Sequence, residues 1–179
     1  IRRAVDWCNA NANTYNINVI SMSIASSELY STSCDSIPSY IILRNSINSA
    51  FANGISVVVA TGNDGNTTAI AAPSCLTNST AVGATNKDDT WASYSNYNSL
   101  VKLFAPGTDI NSTCIETEGT YCSRTGTSMS TPMVSGAIAI INQLLESTSE
   151  TLTPSEIETL LYENGDAITG MPNDFARIN

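Results

Sequence analysis

The chain has 179 residues, 42% hydrophobic and 13% charged, with 7 Lys and Arg against 16 Asp and Glu for a net charge of −9. This acidic balance, with no basic stripe, excludes nucleic acid and anionic membrane surfaces as partners, and no apolar run of about eighteen residues exists to span a bilayer. The chain contains no histidine, so any proton transfer within it must do without imidazole.

In chain order, Ile1 to about Asn13 reads as a helix with Val5 and Cys8 among its apolar positions. It opens in mid-pattern, with no initiator Met or signal peptide, so Ile1 is expected not to be the first residue of the gene product. Ile17 to Ile24 is β-branched and reads as a strand. After a Ser-rich loop, Pro38 is expected to open a helix carrying Ile41, Ile42, Ile47, Ala50 and Phe51, with Asn53-Gly54 ending it. Ile55 to Ala60 is a continuous apolar run suited to a parallel strand buried on both faces. Thr80 to Thr85 and Leu100 to Ala105 read as further strands. Two helices follow, one from the Gly126-Thr127-Ser128 stretch through Leu145 and one from Pro154 to about Tyr162. Alternating helices and strands of this kind define an α/β fold with a mostly parallel sheet, and no linker divides the chain.

Five cysteines leave at least one unpaired within the chain. Cys114 and Cys122 flank a short loop and are expected to form a local bridge. Cys34 and Cys75 lie in loop-like sequence and could pair only through the fold. Cys8 is expected to be a buried thiol. With no CxxC pair and no histidine, a structural zinc site is not expected.

In open parallel sheets, chemistry collects at the carboxyl ends of strands. The Val57–Ala60 strand runs into Thr61-Gly62-Asn63-Asp64-Gly65, where Asn63 is either a turn residue or an N–H donor to an oxyanion. The earlier strand runs into Ser23-Ile24-Ala25-Ser26, small enough to let an extended peptide lie alongside. Ser128 precedes an apolar helix, with Pro132 expected in the first helical turn, where its missing N–H costs little. Ser128 is thus either a helix cap or a nucleophile beside free N–H groups.

Together these stretches resemble the subtilases, the subtilisin-like serine peptidases. Gly126-Thr127-Ser128-Met129-Ser130-Thr131-Pro132 is similar to the family's serine motif, and Val58 through Gly65 to its oxyanion-asparagine motif. Val19–Ser23, Ala81–Thr85, Ala92–Asn96 and Phe104–Gly107 resemble further family segments in family order. The resemblance implies a three-layer α/β fold with helices on both faces of the sheet, incomplete at the N-terminus. It implies that Ser128 is the nucleophile, with its own N–H and the Asn63 amide as oxyanion donors. Ser23, Ile24 and Ala25 would line one side of the substrate cleft, and Ala60, Thr61 and Gly62 the other. Family members usually carry glycine where Ala25 and Ser26 stand, so a narrower pocket with small or apolar preference is expected. Met133 stands where the family usually has a histidine, which is not the catalytic one.

The family's catalytic Asp and His precede the segment matched here, and neither motif occurs in this sequence. The resemblance therefore implies a partial peptidase domain over residues 1–179, lacking the Asp/His part and the last helix and nearly inert alone. The missing N-terminal segment would be a partner, and extended polypeptides the substrates. The other readings are one chain of a processed enzyme, or a catalytically silent subtilase-like domain that binds peptides. No cofactor is required; a structural calcium is a further expectation, with Asp88-Asp89 or Glu116 and Glu118 as ligands. An exported location, extracellular or at the cell surface, is expected. Asn66, Asn78 and Asn111 each begin an N-glycosylation triplet. Asp64, near Asn63, is expected to bias the pocket toward basic side chains.

Overall fold

The computed structural model describes residues 1–115, 119–171 and 175–179. In chain order the helices are α1 (Arg2–Ala10), α2 (Ala12–Tyr15), α3 (Ile41–Ala52), α4 (Thr127–Thr148) and α5 (Pro154–Glu163). The strands are β1 (Val19–Met22), β2 (Leu29–Tyr30), β3 (Ser56–Ala60), β4 (Ile70–Ala71), β5 (Thr80–Thr85), β6 (Leu103–Pro106), β7 (Ile110–Thr113), β8 (Tyr121–Arg124), β9 (Asp166–Ala167) and β10 (Ala176–Arg177). Six strands form one sheet in the order β1-β3-β5-β6-β10-β9. All its neighbours run parallel except β9, which is antiparallel to β10.

The valine run explains the layering. Successive strand residues face opposite sides of a sheet, and every residue of β3 is buried. Val57 and Val59 join Val5, Ile47 and Ala50 in the core beneath α1 and α3. Val58 turns the other way and meets Val134, Ile138 and Ile157 from α4 and α5. A strand buried on both faces needs helices on both, and the result is a three-layer α/β fold.

Local signals differ from the sequence expectations in several places. The first helix breaks at Asn11, and the chain turns through a left-handed Asn16 before β1. Only Val19–Met22 of the expected 17–24 strand pairs, because that is the length over which β3 faces it. The helix after Pro38 begins at Ile41, one turn later than expected. Cys8 is half-buried rather than buried, since Val5 is the residue of α1 that enters the core. Pro132 lies in the second turn of α4, because the helix already starts at Thr127. The helix at Pro154 is closed by a full capping box, with Thr153 Oγ1 accepting from the Glu156 N–H and the Glu156 carboxylate accepting from the Thr153 N–H.

Disulfides join Cys34 to Cys75 and Cys114 to Cys122. The first is accompanied by a hydrogen bond from the Cys34 N–H to the Cys75 carbonyl. It ties the loop after β2 to the segment after β4, next to the antiparallel β2–β4 pair. The second closes the β7–β8 hairpin, which leads directly into the Ser128 stretch. Among the described residues, no helix is long and apolar enough to cross a membrane.

Candidate active site

Two adjacent parallel strands create the cleft. The β1–β3 ladder ends at the Met22–Val59 pair, and beyond it the chains diverge into Ser23–Ser26 on one side and Ala60–Asn66 on the other. Ser23, Ile24 and Ala25 are exposed, whereas Ala60, Thr61 and Gly62 are buried. The segment 71–72 ties the two sides together from below. The Ala71 N–H donates to the Thr61 carbonyl (3.0 Å), and the Ser26 N–H donates to the Ala72 carbonyl (2.8 Å). The Ala72 N–H in turn donates to Ser26 Oγ at 3.0 Å. An apolar cavity of about 150 Å³ opens beside this floor, lined by Ile24, Ala25, Tyr40, Leu43 and Pro73 among others.

Ser128 is the second residue of α4. Its hydroxyl does not cap the helix: Gly126 occupies the cap position, and no side chain caps there. Oγ instead lies 3.5 Å from the Ser23 carbonyl, a long contact that leaves the hydroxyl half-exposed at the cleft. Pro132 has a consequence that its sequence position alone did not show. A proline four residues on cannot donate to the Ser128 carbonyl, and Ser23 Oγ donates to that carbonyl instead, at 2.8 Å. One hydroxyl from the β1 side thus replaces a helical hydrogen bond and fastens the head of α4 to the cleft wall.

Asn63 is oriented by a group that can only donate. The Thr127 N–H reaches Asn63 Oδ1 at 2.9 Å, and Thr127 Oγ1 lies 3.0 Å from the same oxygen. Because a backbone N–H has no acceptor role, the amide cannot be flipped, and Nδ2 is turned away from Thr127. Thr127 Oγ1 also accepts from the Gly62 N–H at 3.3 Å. Gly126 is needed here: its backbone has φ +156°, and a Cβ would sit 3.3 Å from Asn63 Nδ2. The Ser128 N–H, in the first helical turn, and Asn63 Nδ2 make no hydrogen bond among the described residues. Two N–H donors of fixed direction beside a hydroxyl, at a positive helix end, can stabilise an oxygen that gains negative charge.

The sequence reading brought Ser128, Asn63 and both cleft walls to one place, but missed Thr127 and the hydroxyl of Ser23. Both lie within the quoted motifs, Gly126–Pro132 and Val19–Ser23, so their place in those motifs was the available signal. Asp64 does not stand free in the pocket, since Asn96 Nδ2 donates to its Oδ2 at 2.9 Å. Of the residues considered for calcium, Asp88 accepts from the Thr90 N–H and hydroxyl, which hold its carboxyl below the usual carboxylate range. Asp89 pairs with Arg177 at 2.7 Å, and Glu116 and Glu118 lie outside the described residues. Among the described residues, no three His, Cys, Asp or Glu side chains are grouped to hold a metal ion.

The fold thus sets a hydroxyl at a helix start and an asparagine at a parallel strand end on one stretch of an α/β sheet. Residues 1–175 match the model of the subtilase family, and the chain belongs to that family. It is 36% identical over 166 residues to an extracellular protease of Xanthomonas campestris pv. campestris, covering 90% of this chain and 26% of that protein. It is 42% identical over 101 residues to subtilisin BL of Lederbergia lenta, covering 56% of this chain and 36% of the relative. Among solved structures, a cold-adapted subtilisin-like serine proteinase superposes with a TM-score of 0.76 at 28% identity, covering 99% of this chain and 60% of the other. The prenylagaramide maturation protease PagA shares the fold, with a TM-score of 0.80 at 23% identity over 100% of this chain and 65% of that one. The chain thus spans about a quarter to a third of the length of the curated relatives named here.

Proposed function

We propose that this chain carries the nucleophile and oxyanion half of a subtilisin-type serine endopeptidase. The supporting observation is the Asn63 amide, held at 2.9 Å by the N–H of the residue next to Ser128, with neither its Nδ2 nor the Ser128 N–H hydrogen-bonded among the described residues. In the proposed reaction Ser128 Oγ attacks the peptide carbonyl, and its proton passes to a base. The carbonyl oxygen becomes an oxyanion held by the Ser128 N–H and Asn63 Nδ2. Collapse expels the amine, which takes the proton back from the base, and leaves an acyl ester on Ser128. Water activated by the same base then hydrolyses the ester.

The base is not in this sequence, which has no histidine. It would come from a further segment of the same protein carrying an Asp and a His. An extended polypeptide would enter between Ser23–Ala25 and Ala60–Gly62, pairing its backbone with the exposed Ser23–Ala25 segment. The apolar cavity beside Ile24 and Ala25 favours a small or apolar side chain there. The reaction needs no cofactor, and a calcium ion would be structural. Two disulfides and an extracellular relative favour export to an oxidising compartment.

The absence of histidine also favours a second reading, in which this is a silent subtilase-like domain that binds extended peptides. The coding sequence upstream of Ile1 separates the two: in-frame Asp and His motifs are expected for the enzyme. On a product containing them, a fluorophosphonate probe is expected to label Ser128, and far more weakly on the 179-residue chain. In-frame upstream sequence lacking both motifs, or unchanged peptide hydrolysis by Ser128→Ala, sinks the peptidase reading.

A further inference from the structure

The turn that carries Asn63 is held from inside by a buried residue behind the Thr61–Gly62 wall of the cleft. Asn96 is fully buried, 0% exposed. Its Oδ1 accepts from the N–H groups of Asp64 (3.0 Å) and Asn66 (2.9 Å). Its Nδ2 donates to the Thr61 carbonyl (3.1 Å) and to Asp64 Oδ2 (2.9 Å). Both halves of the amide are therefore saturated, and the two backbone donors fix which half is oxygen. The backbone of Asn96 adds two more bonds to this turn: its N–H donates to the Gly62 carbonyl at 3.1 Å, and its carbonyl accepts from Thr61 Oγ1 at 2.9 Å. The side-chain bonds fall on residues 61, 64 and 66, on both sides of Asn63, and none falls on Asn63 itself.

Neighbouring residues anchor this clamp to the sheet. Ser95 Oγ accepts from the Ala84 N–H of β5 at 2.9 Å, and the Ala92 N–H donates to the Ala84 carbonyl. Gly65 and Tyr97 close the rest, with the Gly65 N–H on the Tyr94 carbonyl (2.7 Å) and the Tyr97 N–H on the Asn66 carbonyl (2.8 Å). Gly62 shows how tight the fit is. Its φ is +99°, and a Cβ there would lie 2.6 Å from Asn96 Nδ2.

We infer that Asn96 is a positioning residue for the oxyanion site: by fixing the turn on either side of Asn63, it sets where the Asn63 amide stands. The inference rests on the peptidase reading for its catalytic meaning, while the clamp itself is a property of the fold. A strand-end turn rich in Gly and Asn is otherwise free to sample several conformations, and a donor misplaced by about 1 Å can lose on the order of 10²-fold in rate.

The test has two arms. Amide hydrogen exchange on the 179-residue chain reads the clamp without any activity. Asn96→Ala is expected to speed exchange at Asp64 and Asn66 by about 10-fold or more while Val58 and Val82 stay protected. Should Asn96→Ala not fold, Asn96→Asp serves: it sets two carboxylates against each other and is expected to loosen the same turn, with Asp64→Asn in the same chain restoring protection. In the peptidase form with its base, either Asn96 variant is expected to lower kcat on the order of 10-fold at unchanged KM. The loss is expected to vanish in an Asn63→Ala background, because the donor being positioned is gone. Unchanged exchange at Asp64 and Asn66, or a full further loss of kcat in that background, overturns the assignment. If the wild type with its base hydrolyses no peptide, the peptidase reading falls, and the exchange arm alone decides whether Asn96 holds the turn.

Discussion

The two walls of the cleft spring from neighbouring parallel strands yet are built in opposite ways. The wall from β3 is buried through Gly62 and backed by the saturated amide of Asn96. The wall from β1 is exposed at Ser23, Ile24 and Ala25, and its main ties are one hydroxyl bond to Ser128 and the Ser26–Ala72 pair. The contrast fits the two tasks proposed for these walls. A group that stabilises developing charge must not reorganise during reaction, whereas an edge that accepts a peptide strand must keep its backbone groups available.

The sharpest test of this contrast lies on the rigid side. In the peptidase form, Asn63→Ala is expected to lower kcat by about 10²–10³-fold with little change in KM, measured by steady-state peptide hydrolysis. An equal rise in KM would mean that the buried wall binds substrate rather than the transition state. Next comes the disulfide that ties the loop after β2 to the segment after β4. Replacing Cys34 and Cys75 by Ala is expected to cost about 3 kcal/mol in denaturant unfolding. The loss should be larger than for Cys114→Ala with Cys122→Ala, because the bridged residues are 41 apart rather than 8.

A smaller effect is expected on the open side. Ser23→Ala removes the donor to the Ser128 carbonyl at a site that water can reach, so about 1 kcal/mol of stability is expected to go. A drop in kcat comparable to that of Asn63→Ala would erase the distinction between the walls.

The smallest effect belongs to a region remote from both, and serves as a control. Burial pushes the Glu158 carboxyl up, against a hydrogen bond from Thr80 and the charge of Lys102. A folded-state value above the unfolded one means that the folded protein holds the proton more tightly. This contribution is full below the unfolded value and is lost as pH rises through the folded one. Glu158→Gln is therefore expected to flatten the decline in Tm above pH 4.5, with no effect on either wall.

Much of this was legible in the residues, because the signals were local or strongly patterned. Three consecutive valines bounded by Gly54 and Gly62 mark a doubly buried strand, and the serine motif marks the head of a helix. The boundaries depended on partners instead. β1 ends at Met22 because β3 diverges there, a fact held in neither segment alone. The β2–β4 pair has two residues per strand, too few for an alternating pattern. Asn96 lies 33 positions from Asn63, in a stretch of Ser, Asn and Tyr that reads as an ordinary loop. Its role appears only when all four of its amide bonds can be traced.

The bond from Thr127 to Asn63 has a mechanical consequence. Thr127 is covalently next to Ser128, so the amide and the hydroxyl are bolted to the same short piece of backbone. One hydrogen bond and one peptide link thus set the span between the amide and the hydroxyl, independently of how the Ser23–Ala25 wall meets a bound chain.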